Sequence, residues 1–182
     1  MELVINDDNL QFDKVQEFSS KVRAILVDEH NKILVANYGD VILLPGGKVD
    51  AGETESEAIT RELTEELGHD YNAKELDFFA TLNYYQKNYP KRDGIFKNRL
   101  VQTHYFIGPY KDIKKDLQKL TEKEIRDKFT LELVSLGDLE NMILNNENNN
   151  PRNKYFQIEL LTILSSYKNK KQNATVKKLE LK

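Results

Sequence analysis

The stretch from Gly46 to His69, GGKVDAGETESEAITRELTEELGH, constrains this chain more than any other. It follows an apolar run, Val41-Ile42-Leu43-Leu44, and a turn at Pro45-Gly46-Gly47. It then passes Gly52 into an acid-rich segment. Thr54 followed by Glu57 has the spacing of a capping box, in which a hydroxyl takes a free N–H at a helix start and a Glu side chain reaches back. Gly68 stands where a left-handed C-terminal stop is expected. The pattern predicts a helix over about 55–67, delivered by a strand through a glycine turn.

The faces of that helix carry the chemistry. Ile59, Leu63 and Leu67 stack at i, i+4 and i+8 and form the stripe to be buried. Glu62, Glu65 and Glu66 share the flank beside it, Glu66 nearest the apolar seam, with Ala58 leaving room among them. Like charges one turn apart destabilise a helix. A partly buried group of carboxylates therefore calls for a divalent cation, and hard oxygen donors suit Mg²⁺ or Mn²⁺. Arg61 can pair with Glu57 one turn back and Glu65 one turn on. A solvated charged helix would show the same run of Glu; the glycine turn and the separate Glu53 distinguish this stretch.

Gly47, Glu53 and Arg61-Glu62-Leu63-Thr64-Glu65-Glu66-Leu67-Gly68 together resemble the Nudix box, the signature of the Nudix hydrolases. All its charged and glycine positions are present at its spacing. One position departs: His69 follows the last glycine, where the family usually has an aliphatic residue that packs. The resemblance implies an α/β fold of mixed type, a mixed β-sheet sandwiched between α-helices. It implies Mg²⁺- or Mn²⁺-dependent hydrolysis of a nucleoside diphosphate linked to another moiety. Glu62, Glu65 and Glu66 would be metal ligands and catalytic acids, with a carbonyl of Gly46 or Gly47 as a further ligand. Glu53 and Arg61 would orient them. The family often takes one more acid from a later loop, and Glu122, Glu124 and Asp127 are the candidates; the general base stays open among these, Glu65 and Glu66. An RNA 5′-end pyrophosphohydrolase and a non-catalytic nucleotide-sensing module are the alternatives.

The rest of the chain fits around this stretch. Lys21–Val27, Lys32–Tyr38, Leu76–Tyr85, Arg99–Ile107 and Thr130–Ser135 read as strands, rich in β-branched and aromatic residues. Leu3-Val4-Ile5 reads as a short strand, and Phe12, Val15 and Phe18 as anchors of an N-terminal arm. Ser135 can cap a helix to about Leu144, and Pro151 opens a last helix whose core face is Phe156, Leu160, Ile163, Leu164 and Tyr167. Between the middle strands, Gln86–Asn98 contains Pro90 and Asp93-Gly94, which argue for a loop. Its cations and aromatics suggest a substrate flap: Tyr84 and Tyr89 to stack a base, Arg92 to meet phosphate, with Lys48 reaching in from the glycine loop. A long hairpin with its tyrosines packed on the sheet is the other reading.

At 182 residues the chain matches one domain, with a basic, flexible tail over about 168–182 in which Val176–Leu181 could add an edge strand. The net charge is −3, so no general basic field points to nucleic acid as a partner. The absence of cysteine excludes disulfides, thiolate metal sites and a cysteine nucleophile. No run is long and apolar enough for a signal peptide core or a membrane span, and a cytoplasmic protein acting on a small nucleotide is expected. Homodimerisation is left open.

Overall fold

Alternation along Val22–Leu26 assigns this strand to two layers of core. Val22, Ala24 and Leu26 pack with Ile59, Leu63 and Leu67 of the acidic helix, while Ile25 faces the opposite cluster with Leu139, Ile143 and Leu160. A strand covered on both faces reads as a near-continuous apolar run. Arg23 alone interrupts it.

The computed structural model describes residues 1–180. Its strands are β1 (Glu2–Ile5), β2 (Glu17–Val27), β3 (Ile33–Tyr38), β4 (Val41–Leu43), β5 (Asp77–Pro90), β6 (Phe96–Pro109) and β7 (Phe129–Val134). They form one sheet in the order β1-β5-β6-β2-β3-β4, with β7 on β3. The β1–β5 and β2–β6 pairs are parallel and the others antiparallel, so the sheet is mixed. Helix α1 (Glu55–Leu67) covers one face. Helices α3 (Leu136–Leu144) and α4 (Asn153–Glu180) cover the other, and the short α2 (Glu122–Arg126) precedes β7. The sandwich expected from the sequence is the observed architecture. Among the described residues, no helix is long and apolar enough to cross a membrane.

Several expectations need correction. The Gln86–Asn98 connection is the long hairpin and not the flap loop: β5 runs to Pro90 and β6 restarts at Phe96. A register shift between Gln86 and Tyr89 absorbs Asn88, which is left-handed at φ 51°. Pro90 is tolerated because it ends the strand, where its missing N–H leaves few ladder bonds unmade. Lys91 pairs with Glu17 at 2.7 Å and is not free for phosphate. Phe12 and Phe18 are exposed and anchor no arm; Phe18 belongs to β2 itself. Helix α4 continues past Lys168 to Glu180, where the sequence reading ended it and proposed an edge strand over Val176–Leu181. Lys, Gln, Ala and Leu are good helix formers and no Gly or Pro follows Pro151, so nothing stops the helix at Lys168. Leu181 lies outside the described residues.

Candidate active site

The glycine turn is stitched to β2. Ala24 N–H donates to Pro45 O at 2.9 Å, Val22 N–H to Gly47 O at 3.0 Å, and Val49 N–H to Ser20 O at 3.2 Å. Gly46 has φ 126° and passes so close to β2 that a Cβ would overlap the Val22 carbonyl. At Gly47 a Cβ would overlap the Glu62 carboxylate. The two glycines thus let the turn lie between strand and helix with no space lost.

Helix α1 is set by its caps. Thr54 and Glu57 form the reciprocal capping box, and Gly68 closes the helix at φ 70°. Ile59, Leu63 and Leu67 are fully buried, as the stripe requires. The flank then presents its carboxylates in three different settings.

Glu66 is buried behind the glycine turn. Its Oε2 accepts the Gly46 N–H at 2.8 Å and its Oε1 accepts the Tyr38 hydroxyl at 2.6 Å. Burial pushes its carboxyl up to about 8, against the pull of those bonds and of Arg23. Glu62 is mostly buried, and burial raises its carboxyl too, opposed by Arg61. Glu65 is 35% exposed and keeps one long contact, 3.4 Å, with Arg61.

Arg61 is the hub. Its Nε and Nη2 donate to the two oxygens of Glu53 at 2.8 and 3.0 Å. Its Nη1 reaches Glu62 at 3.0 Å and Glu65 at 3.4 Å, and Nη2 also donates to Lys48 O at 3.1 Å. The bond to Glu53 is foremost in holding the guanidinium above its ordinary range, and the same bond lowers the Glu53 carboxyl. Glu57, expected as an Arg61 partner, is instead used by the Thr54 cap. Glu53 and Arg61 therefore fasten the loop to the helix.

A cavity of about 890 Å³ opens in front of Glu62 and Glu65. Lys48 and Arg92 line it. Tyr84 and Tyr89 do not: both are buried, packed on Tyr155 of α4 at 6.2 and 5.0 Å between ring centres, and Arg99 lies 3.2 Å over the Tyr89 ring. Residue type gave the aromatics, but the face of the hairpin on which they fall makes them core. Of the three loop acids, Glu122 does not line the cavity. Glu124 lines it with its carboxylate spent on the Thr121 cap. Asp127 holds Arg92 at 3.2 Å and Arg126 at 3.4 Å. Burial pushes the Asp127 carboxyl up, but the two guanidiniums outweigh it and keep it below its ordinary range.

Two residues of the site escaped sequence reasoning. Arg23 is buried, and its Nη1 donates to the carbonyls of Leu44 and, at 3.1 Å, Gly46. Tyr38 closes over Glu66 and rests edge-on against Phe129 at 4.9 Å. The one signal for Arg23 was a charge inside an otherwise apolar strand. For Tyr38 there was none.

The donor types fit a hard divalent cation: three carboxylates within two turns of one helix, with a glycine kept clear of Glu62. Their present arrangement is not a closed nest, because Arg61 holds Glu62 and Glu65 while Tyr38 and Gly46 hold Glu66. Among the described residues, no group of three or more His, Asp or Glu converges on one point. Gly47 O is taken by Val22 N–H and Gly46 O by Arg23, so neither carbonyl is turned solely to the cavity.

A mixed sheet between helices, with an acid-bearing helix behind a glycine turn facing an open cavity, defines an α/β protein. The family model described as NUDIX domain matches residues 18–156, and the chain belongs to that family. It is 43% identical over 65 residues to a putative 8-oxo-dGTP diphosphatase of Bacillus subtilis (strain 168), a match covering 35% of this chain and 40% of that protein. The chain thus matches less than half the length of that relative. Its fold is similar to that of a NUDIX hydrolase from Nitrosomonas europaea (TM-score 0.54, 14% identity, 80% of this chain and 90% of that one). It is similar also to the NUDIX domain of Shewanella oneidensis NrtR complexed with ADP ribose (TM-score 0.52, 14% identity, 90% and 94%).

Proposed function

We propose that the protein is a hydrolase that cleaves the diphosphate linkage of a nucleoside diphosphate joined to another moiety, with Mg²⁺ or Mn²⁺ held by Glu62, Glu65 and Glu66. The observation that carries this reading is one cavity shared by two box carboxylates, Glu62 and Glu65, and by basic side chains including Lys48. A bound divalent ion supplies charge neutralisation on the phosphate oxygens. The rest is done by the chain. Lys48 and Arg92 draw the diphosphate in. Glu65, the box carboxylate most open to the cavity, takes the proton of the attacking water. The water oxygen bonds to phosphorus, the P–O bond of the anhydride breaks, and the leaving phosphate carries away the electron pair. Such proton transfer contributes roughly 10²–10⁴-fold. Glu66 and Arg23 hold the glycine turn in position, and Tyr38 bonds to the Glu66 carboxylate. The names of the relatives, an 8-oxo-dGTP diphosphatase and an ADP ribose complex, support a nucleotide as the substrate.

The test is product formation from nucleoside triphosphates, ADP-ribose, nucleotide sugars and dinucleoside polyphosphates, with Mg²⁺ and with chelator, for the wild type and Glu65→Gln. Metal-dependent cleavage that collapses in the variant is the expected result. Tight nucleotide binding without cleavage by the wild type would overturn the hydrolase and leave a sensing module.

A further inference from the structure

The cavity carries more positive charge than a diphosphate facing the carboxylate wall would use. Nine basic side chains line it against five acidic ones, in a chain whose net charge is −3. Five of those cations come from segments remote from the Nudix box: Arg92 in the β5–β6 turn, Lys123 and Arg126 on α2, Lys128 just after it, and Arg152 ahead of α4. Three separate parts of the chain bring them to one wall.

Local pairing does not account for them. Asp127 ties Arg92 and Arg126, and Glu124 is spent on its helix cap. Arg152 Nε has only the neutral Asn150 Oδ1, at 3.3 Å. Lys123 and Lys128 have no acid within ion-pair distance among the described residues. Desolvation first, then the neighbouring Arg92, holds the Lys123 ammonium below its ordinary range; Asp127 and Glu124 oppose the shift and Arg152 adds to it. Lys128 is also left-handed at φ 52°, a conformation that disfavours a lysine and that the surrounding fold has to maintain. Unpaired like charges gathered in a cavity are stabilised by an anion, and planar guanidiniums with ammonium groups suit phosphate.

We propose that this wall, centred on Lys123 and Arg152, is a second anion subsite that binds a phosphate group of the substrate beyond the diphosphate that is cleaved. The inference rests on the hydrolase reading for the word substrate, but the subsite itself does not. The ligand class is a polyphosphorylated nucleotide. The additional phosphate is either the terminal group of a triphosphate chain or a phosphate monoester elsewhere on the nucleotide.

Two measurements test it. The first is calorimetric binding of inorganic pyrophosphate and tripolyphosphate to the metal-free protein, for the wild type, Lys123→Gln, Arg152→Gln and the double variant. Lys74→Ala, an exposed lysine away from the cavity, is the control. The wild type is expected to favour tripolyphosphate, and each variant to lose affinity for it by roughly tenfold, the worth of one charged hydrogen bond. Pyrophosphate binding should change little. No wild-type preference, or a preference that survives in the double variant with its circular dichroism unchanged, overturns the subsite. The single variants keep the test open if the double variant does not fold. The second compares KM and kcat for two substrate pairs, a nucleoside diphosphate against its triphosphate, and ADP-ribose against the same compound with a ribose phosphate. The pair whose KM advantage disappears in Arg152→Gln, with kcat held, identifies which phosphate is gripped; loss in neither pair overturns the proposal. Absence of turnover alongside intact tripolyphosphate selectivity would reject the hydrolase and leave the subsite standing.

Discussion

Glu66 Oε2 accepts the amide hydrogen of Gly46 at 2.8 Å, across twenty residues of chain. This bond ties the C-terminal half of the helix to the turn that precedes it, beside the Arg61 bonds to Glu53 and Lys48 O. It also places a carboxylate where water is excluded, so the helix and the turn are aligned at the expense of an acid that resists ionisation.

The first prediction concerns that acid. Its folded-state pKa of about 8 lies above the ordinary carboxylate value of 4.5. Between those values the folded state binds more protons than the unfolded state, so stability falls as pH rises through this window. Below the unfolded value the stabilisation is fully present. In chelator, the wild-type melting temperature should decline from pH 5 to pH 8 more than that of Glu66→Gln, whose amide can still accept from Gly46 and donate to Tyr38. Thermal melts across that range check it, and parallel curves for the two proteins would remove the buried charge from the account.

Gly47→Ala is the second. A Cβ at this position overlaps the Glu62 carboxylate, which can move aside only by giving up its 3.0 Å bond from Arg61. Overpacking of this kind typically costs about 1–3 kcal/mol. The catalytic loss should exceed what the stability loss explains, since Glu62 itself is displaced. Denaturant unfolding and kcat on the same preparation separate the two effects.

Arg61→Lys is the third. The guanidinium meets Glu53 with two bonds and Glu62, Glu65 and Lys48 O with others, a fork that one ammonium cannot reproduce. With a lysine the carboxylates lose their fixed orientation. A fall in kcat of roughly 10–100-fold is expected, the usual range for support groups around a metal site. Metal affinity, read by titration of Mn²⁺, should fall with it. Unchanged affinity and rate would mean that Arg61 serves only the loop.

The reach of the sequence can be judged from particular residues. Both ends of α1 were legible because a capping box and a left-handed glycine are local rules, settled within a few positions. The apolar stripe and the sheet–helix layering followed from periodicity. Box residues Glu53, Arg61, Glu62 and Glu65 gather as the motif suggests, since most of them share one helix. What was not legible depends on contacts far apart in the chain. Arg23 meets Gly46 from another strand, Tyr38 meets Glu66 across the turn, and Arg152 joins the cavity from the end of a loop. Helix α4 and the long hairpin outran their predicted ends because composition marks where an element can stop, and only packing decides whether it does.

That hairpin supplies the last prediction. Of the two readings of Tyr89, stacking a base or packing on the sheet, the second holds: its ring lies against Tyr155 at 5.0 Å and the Arg99 guanidinium at 3.2 Å. Arg99 is itself buried, with Nε bonded to Gln86 at 2.6 Å, so the ring is the surface on which a charge is kept inside the protein. Tyr89→Ala removes both the packing and the face beneath the guanidinium. A loss of about 3 kcal/mol is expected from the cavity alone. Tyr89→Phe retains the ring and should lose far less. Neither substitution touches the cavity, so KM for the substrate should hold in both once the fraction folded is allowed for. A KM that rises in Tyr89→Phe while its stability is kept would return this ring to the substrate.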